Sequence, residues 1–412
     1  MGRFLFTTIL LNDLGVPTRS MPIALELKKL GHEVAFCNPM PAPTRFIEEA
    51  GVSNLPIEMG APPPPSEIAP IGVNAWNLDH MLCMFGHLDE AFVENCVRAF
   101  VDVIDAFEAD VVVDSFVPTA CIAARACGKP LATIIQADLH PTNIGFMWWK
   151  DQPENIPSPA AALNAVLSNH GLDSVSSSSD LVVGDLTLCA GTPETDPVPH
   201  ASDVVHTGPM FSSQAQAPLP DWIDDFAGDK PLIWVYCGNP RYKMGPNIAG
   251  PGDSIVVLRA AFEVLADLDA RVIVTAGFQE RPEELPPPPD NFREADFLPG
   301  LSLARRCDLV VHHGGHGSCM TGAFAGTPAL IIPTISERES NARRMTSLGV
   351  AELLIPTVDE SGEMRISSVE FGKTVQTMLA DSSYRTKAAA LSKRMGECGG
   401  PGAIADRIEA LL

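Results

Sequence analysis

Short apolar runs alternate with amphipathic stretches along most of this chain. Residues 3–11 (RFLFTTILL) predict a strand. Pro22–Leu30 predicts a helix with Ile23, Leu27 and Leu30 on one face, opened by Pro22 and closed by Gly31. EVAFC (33–37) predicts the next strand, DVVVDSF (110–116) another, TACIAARACG (119–128) a helix and PLATIIQ (130–136) a strand. The second half follows the same alternation, with strand PLIWVYCG (231–238), helix 254–268, strand RVIVTAG (271–277), strand CDLVVHHGG (307–315), a helix, then PALIIP (328–333). Continuous apolar strands alternating with helices imply parallel sheets covered on both faces.

FSSQAQAPLPDW (211–222) carries no period and reads as a connection between two such domains. The expected division is 1–212, a linker at 213–222, 223–390, and a terminal helix within 391–412 that packs back on the first domain. In doubly wound sheets ligands sit beyond the carboxyl ends of the strands, so two such domains facing a central cleft are expected.

The chain has 412 residues and a net charge of −23. That charge repels phosphate backbones and anionic bilayers, so nucleic acid and membrane surfaces are poor partners. Ten cysteines occur singly, as expected of free thiols in a reducing compartment. Glycines and prolines break the longest uncharged run, between Asp308 and Glu337, so no membrane span is expected. FLFTTILL (4–11) leads into a helical pattern without a small-residue cleavage site and reads as a buried strand; a cytoplasmic location follows.

The stretch 310–345 (VVHHGGHGSCMTGAFAGTPALIIPTISERESNARRM) carries the most chemistry. A strand runs into His-Gly-Gly-His-Gly-Ser and then a helix start. Glycines let backbone N–H groups approach a ligand, Ser318 can cap the helix, and the helix N-terminus attracts anions. His313 can add a hydrogen bond to a phosphate oxygen. The spacing matches neither G-x-G-x-x-G nor the P-loop. A diphosphate cradle is expected.

These residues resemble the family-1 glycosyltransferases of GT-B fold, especially bacterial enzymes that decorate natural products. The resemblance rests on His313, Gly314, Gly315, Gly317, Ser318, Gly326, Pro328, Pro333, Glu337, Asn341 and Ala342, on DFLP (296–299), and on the tail 384–412. More loosely, PIALELKKLGHEVAF (22–36) and DVVVDSF (110–116) match its first domain. The resemblance implies a nucleotide-sugar donor in the C-terminal domain. His313, Gly315, Gly317 and Ser318 would hold the diphosphate, with Gly238 and Asn239 close by. Phe297 would stack on the base and the Leu298 backbone would pair with its edge. Glu337 and Arg338 stand where the family has an acidic residue and Gln for sugar hydroxyls. Arg338 is expected to be solvated or paired with Glu339, and Thr321 stands where some members have a ribose-binding Glu. There is no His/Cys cluster, so neither a metal nor an organic cofactor is expected beyond the co-substrate.

Sugar transfer to a hydroxyl needs a general base. The family usually places a His three residues before a proline after the first strand; counting back from Pro22 gives Arg19, which cannot deprotonate. Counting forward from the strand reaches Asp13, the candidate base, unless it is only a turn residue in N-D-L-G. Asp114 matches the family's aspartate behind the usual His, and could assist the base, act alone or pair with Arg19. Asp138 and His140 are further candidates.

NAWNLDHMLCMFGHL (74–88) and NIGFMWWKD (143–151) concentrate aromatic residues and methionine, as a bulky apolar acceptor requires, or as a helix core would. The candidate acceptor contacts are Trp76, His80, Met84, Asp138, His140, Phe146 and Trp148. His80 and His87, seven apart, are expected on one helix face.

The expectation is an inverting, metal-independent transferase moving a sugar from a UDP- or TDP-linked donor to a hydrophobic natural product, O- or C-linked. A homodimer is left open. The alternatives are a catalytically impaired homologue acting as a binding partner, motivated by Arg19, and a nucleotide-sugar epimerase.

Overall fold

The computed structural model describes residues 1–61, 63, 74–200, 203–238, 254–275 and 281–412. Two compact units emerge. One is built from the chain up to Phe211 together with Cys398–Leu412, and the other from Ser212–Glu397.

The first unit is a sheet in the order β3-β2-β1-β4-β5-β6-β7. Its strands are β1 (Arg3–Thr8), β2 (Glu33–Cys37), β3 (Ser53–Asn54), β4 (Val111–Ser115), β5 (Leu131–Ile135), β6 (Leu186–Cys189) and β7 (Val204–His206). Every pairing is parallel. Strands β4 and β5 are buried at every position, which is why their sequences are unbroken apolar runs rather than alternating ones. Helix Pro17–Lys29 packs Met21, Ile23, Ala24 and Leu27 on this sheet. The last helix, Gly400–Glu409, adds Ile404, Ala405 and Ile408 to the same core. A bond of 2.9 Å between His32 Nε2 and Glu409 ties that helix down.

One boundary differs from the sequence reading. The first helix starts at Pro17, not Pro22, so Pro22 lies inside it. Pro17 takes the first helical position, where a missing N–H costs nothing. Pro22 gives up one internal bond, offset by the burial of the apolar residues around it. Arg19 is therefore not a loop residue. It sits in the first turn and is buried.

The second unit repeats the plan in the order β10-β9-β8-β11-β12-β13. Its strands are β8 (Leu232–Tyr236), β9 (Arg271–Thr275), β10 (Phe292–Ala295), β11 (Leu309–His312), β12 (Ala329–Ile331) and β13 (Ala351–Leu353). All are parallel. Ile233, Val235, Val257, Val272, Leu309, Val311 and Leu330 form the core on one face, and Leu232, Trp234, Ile273, Leu303 and Val310 on the other.

Both sheets reverse their strand order once, between β1 and β4 in the first unit and between β8 and β11 in the second. At such a point the two flanking chains leave in opposite directions, and a crevice opens beyond the strand ends.

Candidate functional site

At the second unit's reversal, His312 of β11 lies beside Tyr236 of β8, so Cys237–Gly238 and His313–Gly314 leave the sheet together. Gly238 has φ +67°, and a side chain there would meet the His313 ring at 3.1 Å. Gly314 has φ +87°, and a Cβ would stand 2.8 Å from the Arg338 carbonyl oxygen. Backbone curvature and close packing thus both demand glycine at 314. Helix His316–Ala325 begins directly after Gly315. The first amides of a helix have no carbonyl four residues back within it, so this helix start presents donors at the sheet end. Gly317 faces open space. Ser318, expected as a cap, lies inside the first turn; Gly315 is the cap and supplies no side chain. Thr321 spends its hydroxyl on the Gly317 carbonyl at 2.8 Å.

His312 is wholly buried, its Nδ1 accepting from the Gly314 N–H at 3.1 Å, and burial lowers its pKa to about 3. His313 is buried too. Burial, then the Arg338 charge, holds its pKa well below the usual histidine range. It is therefore a neutral imidazole. Its Nδ1 has no hydrogen-bond partner among the described residues. A buried polar nitrogen left in this state is uncommon in a folded protein, and a ligand oxygen would satisfy it.

Asn341 donates to the Gly314 carbonyl at 3.1 Å and to Glu337 Oε1 at 2.8 Å. It pins the glycine loop to helix Ser336–Ser347 and orients Glu337 in that helix's first turn, half-buried. Arg338 departs from expectation. It is 6% exposed rather than solvated, and Glu339 pairs with Arg343 at 2.7 Å. Arg338 Nη1 donates to Ser254 Oγ at 2.8 Å and Thr334 Oγ1 at 2.7 Å. The long side chain reaches inward because two hydroxyls meet it there, which sequence spacing does not reveal. After β10, Phe297 stands exposed while Leu298 is buried in the core. Asn239 lies outside the described residues.

At the first unit's reversal, Thr7 and Asp114 are cross-strand partners. Asp114 is fully buried, accepting from Thr7 Oγ1 at 2.6 Å and the Val117 N–H at 3.1 Å. Burial raises its pKa to about 6, against those hydrogen bonds. The next turn holds Phe116 at φ +82°, a strained conformation for a non-glycine residue. Asp13 is half-buried, and its Oδ1 accepts from the Gly15 N–H at 2.6 Å. That is the turn-forming role, which leaves the other oxygen for chemistry. Because the helix starts at Pro17, three residues before the proline is Leu14, which cannot titrate.

The two aromatic-rich segments are stitched together: Phe146 N–H donates to the Trp76 carbonyl at 2.8 Å, and Trp76 N–H to His80 Nδ1 at 3.1 Å. The apolar lining expected there is largely turned inward. Phe146 and His80 are buried, and burial lowers the His80 pKa. Trp76, Met84 and Trp148 are half-buried, Trp148 edge-on to Trp149. Helix Leu78–Met84 ends before His87, so His80 and His87 do not share a helix face. What opens instead is a polar pocket of about 210 Å³ lined by Asn77, Asp79, Asp138, Asn143, Ile144 and Gln152 among others. Asp138 sits in the turn just after β5, and buried His140 bonds Thr142 at 2.8 Å. Asp79, which carried no motif, anchors the pocket floor: it accepts from the Ser178 amide at 2.7 Å and from the hydroxyls of Ser178 and Ser158. Among the described residues no cluster of three His, Cys, Asp or Glu side chains is placed to hold a metal. No described helix is long and apolar enough to cross a membrane.

Residues 259–411 match the C-terminal domain of the erythromycin biosynthesis protein CIII-like family. The chain is 24% identical to tylactone mycaminosyltransferase of Streptomyces fradiae over 95% of its length and 88% of that protein's. It is 32% identical to the TDP-daunosamine transferase DnrS of Streptomyces peucetius, over 42% of this chain and 40% of that one. The calicheamicin glycosyltransferase CalG4 superposes with a TM-score of 0.74 at 19% identity, covering 100% of this chain and 98% of that one. The chain shares the two-unit parallel α/β fold of that glycosyltransferase structure. It spans about half or less of the length of several curated relatives it matches.

Proposed function

We propose that this chain transfers a sugar from a TDP- or UDP-linked donor to a natural-product acceptor, with inversion at the anomeric carbon. One observation carries the reading: buried His313, its pKa held low and its Nδ1 without a hydrogen-bond partner among the described residues, follows β11 at the mouth of a glycine turn and a helix N-terminus. Neutral donors and a helix dipole suit a departing diphosphate, whose charge grows in the transition state. Gly238 leaves β8 beside the His313 ring, and exposed Phe297 offers a face for the base. The named relatives are a TDP-daunosamine transferase and a tylactone mycaminosyltransferase, and this chain is read by analogy with them.

The acceptor is drawn as an apolar scaffold carrying polar groups, because the pocket beside Asp138 and Asn143 offers acceptors and amides more than oil. The acceptor oxygen or carbon would attack from the face opposite the diphosphate. Asp114, its pKa raised to about 6 by burial, can take a proton close to physiological pH, and Asp13 stands in the loop beyond β1. A second reading, a binding partner without turnover, draws on Leu14 standing where a catalytic His would be, and on the full burial of Asp114.

The test is a thermal-shift screen of TDP- and UDP-sugars followed by a transfer assay on a panel of aglycones. A bound donor raises the melting temperature by mass action. Turnover with Asp114→Asn or Asp13→Asn reduced at least about a hundredfold identifies the base. Donor binding without turnover on any acceptor favours the partner reading, and no shift with any nucleotide sugar removes both.

A further inference from the structure

The first sheet carries a row of polar side chains at its carboxyl end. Asn38, Thr8, Ser115 and Gln136 each come two positions after a core residue of one sheet face: Phe36, Phe6, Val113 and Ile134. Strand alternation puts all four on that face, at the ends of β2, β1, β4 and β5. Three of them are satisfied from within the unit. Asn38 Nδ2 donates to Thr8 Oγ1 at 2.9 Å, Asn38 Oδ1 accepts from the Met40 N–H at 2.9 Å, and Ser115 Oγ donates to the Ile134 carbonyl at 3.0 Å. Gln136 differs. It is 7% exposed, yet its Oε1 has no hydrogen-bond partner, and no described residue bonds its Nε2. Turning the carboxamide over exchanges donor for acceptor and still leaves a buried end unpaired. The backbone cannot shift to relieve it. The Gln136 carbonyl accepts from the Leu139 N–H at 3.0 Å, and the Ala137 carbonyl accepts from Asn143 Nδ2 at 2.6 Å. Asp138 of that pinned turn, and Asn143 that pins it, line the polar pocket of about 210 Å³. An unpaired buried amide costs free energy, and a fold keeps such a cost where a ligand removes it.

Resting on the transferase reading above, we propose that Gln136 recognises the sugar acceptor by bonding two oxygens carried on adjacent carbons of that molecule. A carboxamide holds a donor and an acceptor side by side on one carbon, so its match is a pair of oxygens set equally close: a vicinal diol, or a hydroxyl beside a carbonyl. A lone hydroxyl on an apolar scaffold satisfies one end only. Selection works through the penalty of the unpaired end, which the empty site already bears and which a matching molecule removes. The pinned turn holds the amide in place beforehand, so little freedom is lost on binding. Asp79 plays a different part. Its carboxylate is already met by the Ser178 amide and by the hydroxyls of Ser178 and Ser158, so it shapes the pocket and does not read the occupant.

The experiment is calorimetric titration of wild type, Gln136→Met and Gln136→Leu with two probes: a naphthalene bearing two adjacent hydroxyls and a naphthalene bearing one. Wild type should bind the diol about tenfold more tightly than the single hydroxyl, and both variants should bind the two probes within about twofold of each other. Melting temperatures are read alongside. Methionine fills nearly the same volume without a polar end, so Gln136→Met should melt at or above wild type, whereas an amide kept for structure would leave it melting lower. A wild type that binds neither probe, or both alike, overturns the proposal. So does a preference for the diol that survives in both variants. Parallel weakening of both probes with a lowered melting temperature also overturns it and makes Gln136 a packing residue. The transferase reading is checked separately with TDP and UDP. If neither raises the wild-type melting temperature, that reading falls, and this outcome is distinct from a lost or unchanged diol preference.

Discussion

The two strand-order reversals are built alike and equipped differently. In the second unit, β8 and β11 deliver glycines, a neutral imidazole and a helix N-terminus to one spot, most of them within a few residues of sequence. In the first unit, β1 and β4 deliver a buried aspartate locked by Thr7 and a strained Phe116, while the loop residue Asp13 is occupied in a turn. The contrast shows two ways to make a site. A diphosphate has one shape, so backbone geometry close in sequence can meet it. The polar pocket of the first unit draws instead on side chains from distant segments, 77–79, 138–145 and 177–179, assembled only by folding.

The largest expected effect tests how deeply each region buries its titratable groups. His87 and His312 have pKa values lowered to about 4 and about 3, and His313 lies well below its ordinary value, so all three are neutral when folded and charged when unfolded below pH 6.5. Their stabilisation is present above pH 6.5 and is lost as pH falls. Asp114 has the opposite sign: raised from 3.8 to about 6, it holds a proton in the folded state between those values and adds stability as pH falls through that window. Three protons against one leave about two net, and His80 and His140, whose pKa values burial also lowers, act in the same direction, so near pH 5 stability should drop by at least on the order of 3 kcal/mol per pH unit of acidification. Urea melts from pH 7 to 4 measure it. In Asp114→Asn the drop should be steeper, because the opposing proton is gone; an unchanged slope would show that Asp114 does not titrate in this window.

Next, Gly314→Ala should cost about 2–4 kcal/mol, since φ +87° and a backbone oxygen 2.8 Å away admit no side chain. It should also abolish nucleotide-induced thermal shifts. An alanine variant that melts and binds like wild type would remove the geometric basis of the loop.

A smaller effect belongs to the first unit. Asp79→Asn disrupts bonds to the Ser178 amide and to two serine hydroxyls, and should cost about 1–3 kcal/mol while leaving nucleotide binding unchanged. Denaturant melts together with TDP titration check both halves, and a loss of TDP affinity would show that the two regions do not act separately.

The central strands were readable from the residues, because parallel strands buried on both faces are written as near-continuous apolar runs, and β1, β4, β5, β8 and β11 all are. So was the glycine loop, where a positive φ and a helix start need particular residues in a row. Strand β6 and the edge strands β7, β10 and β13 were not legible, being three or four residues long, with too few positions to show a period. The first helix boundary was misplaced because two prolines each fit a helix start, and packing against the sheet chose Pro17. Folding turned Phe146 inward, gave Asp79 its serine partners, and drew Arg338 away from solvent toward Ser254, 84 residues earlier. Each of those depends on which distant groups are near, and a periodic pattern records only how much of a side chain is buried, never what it is buried against.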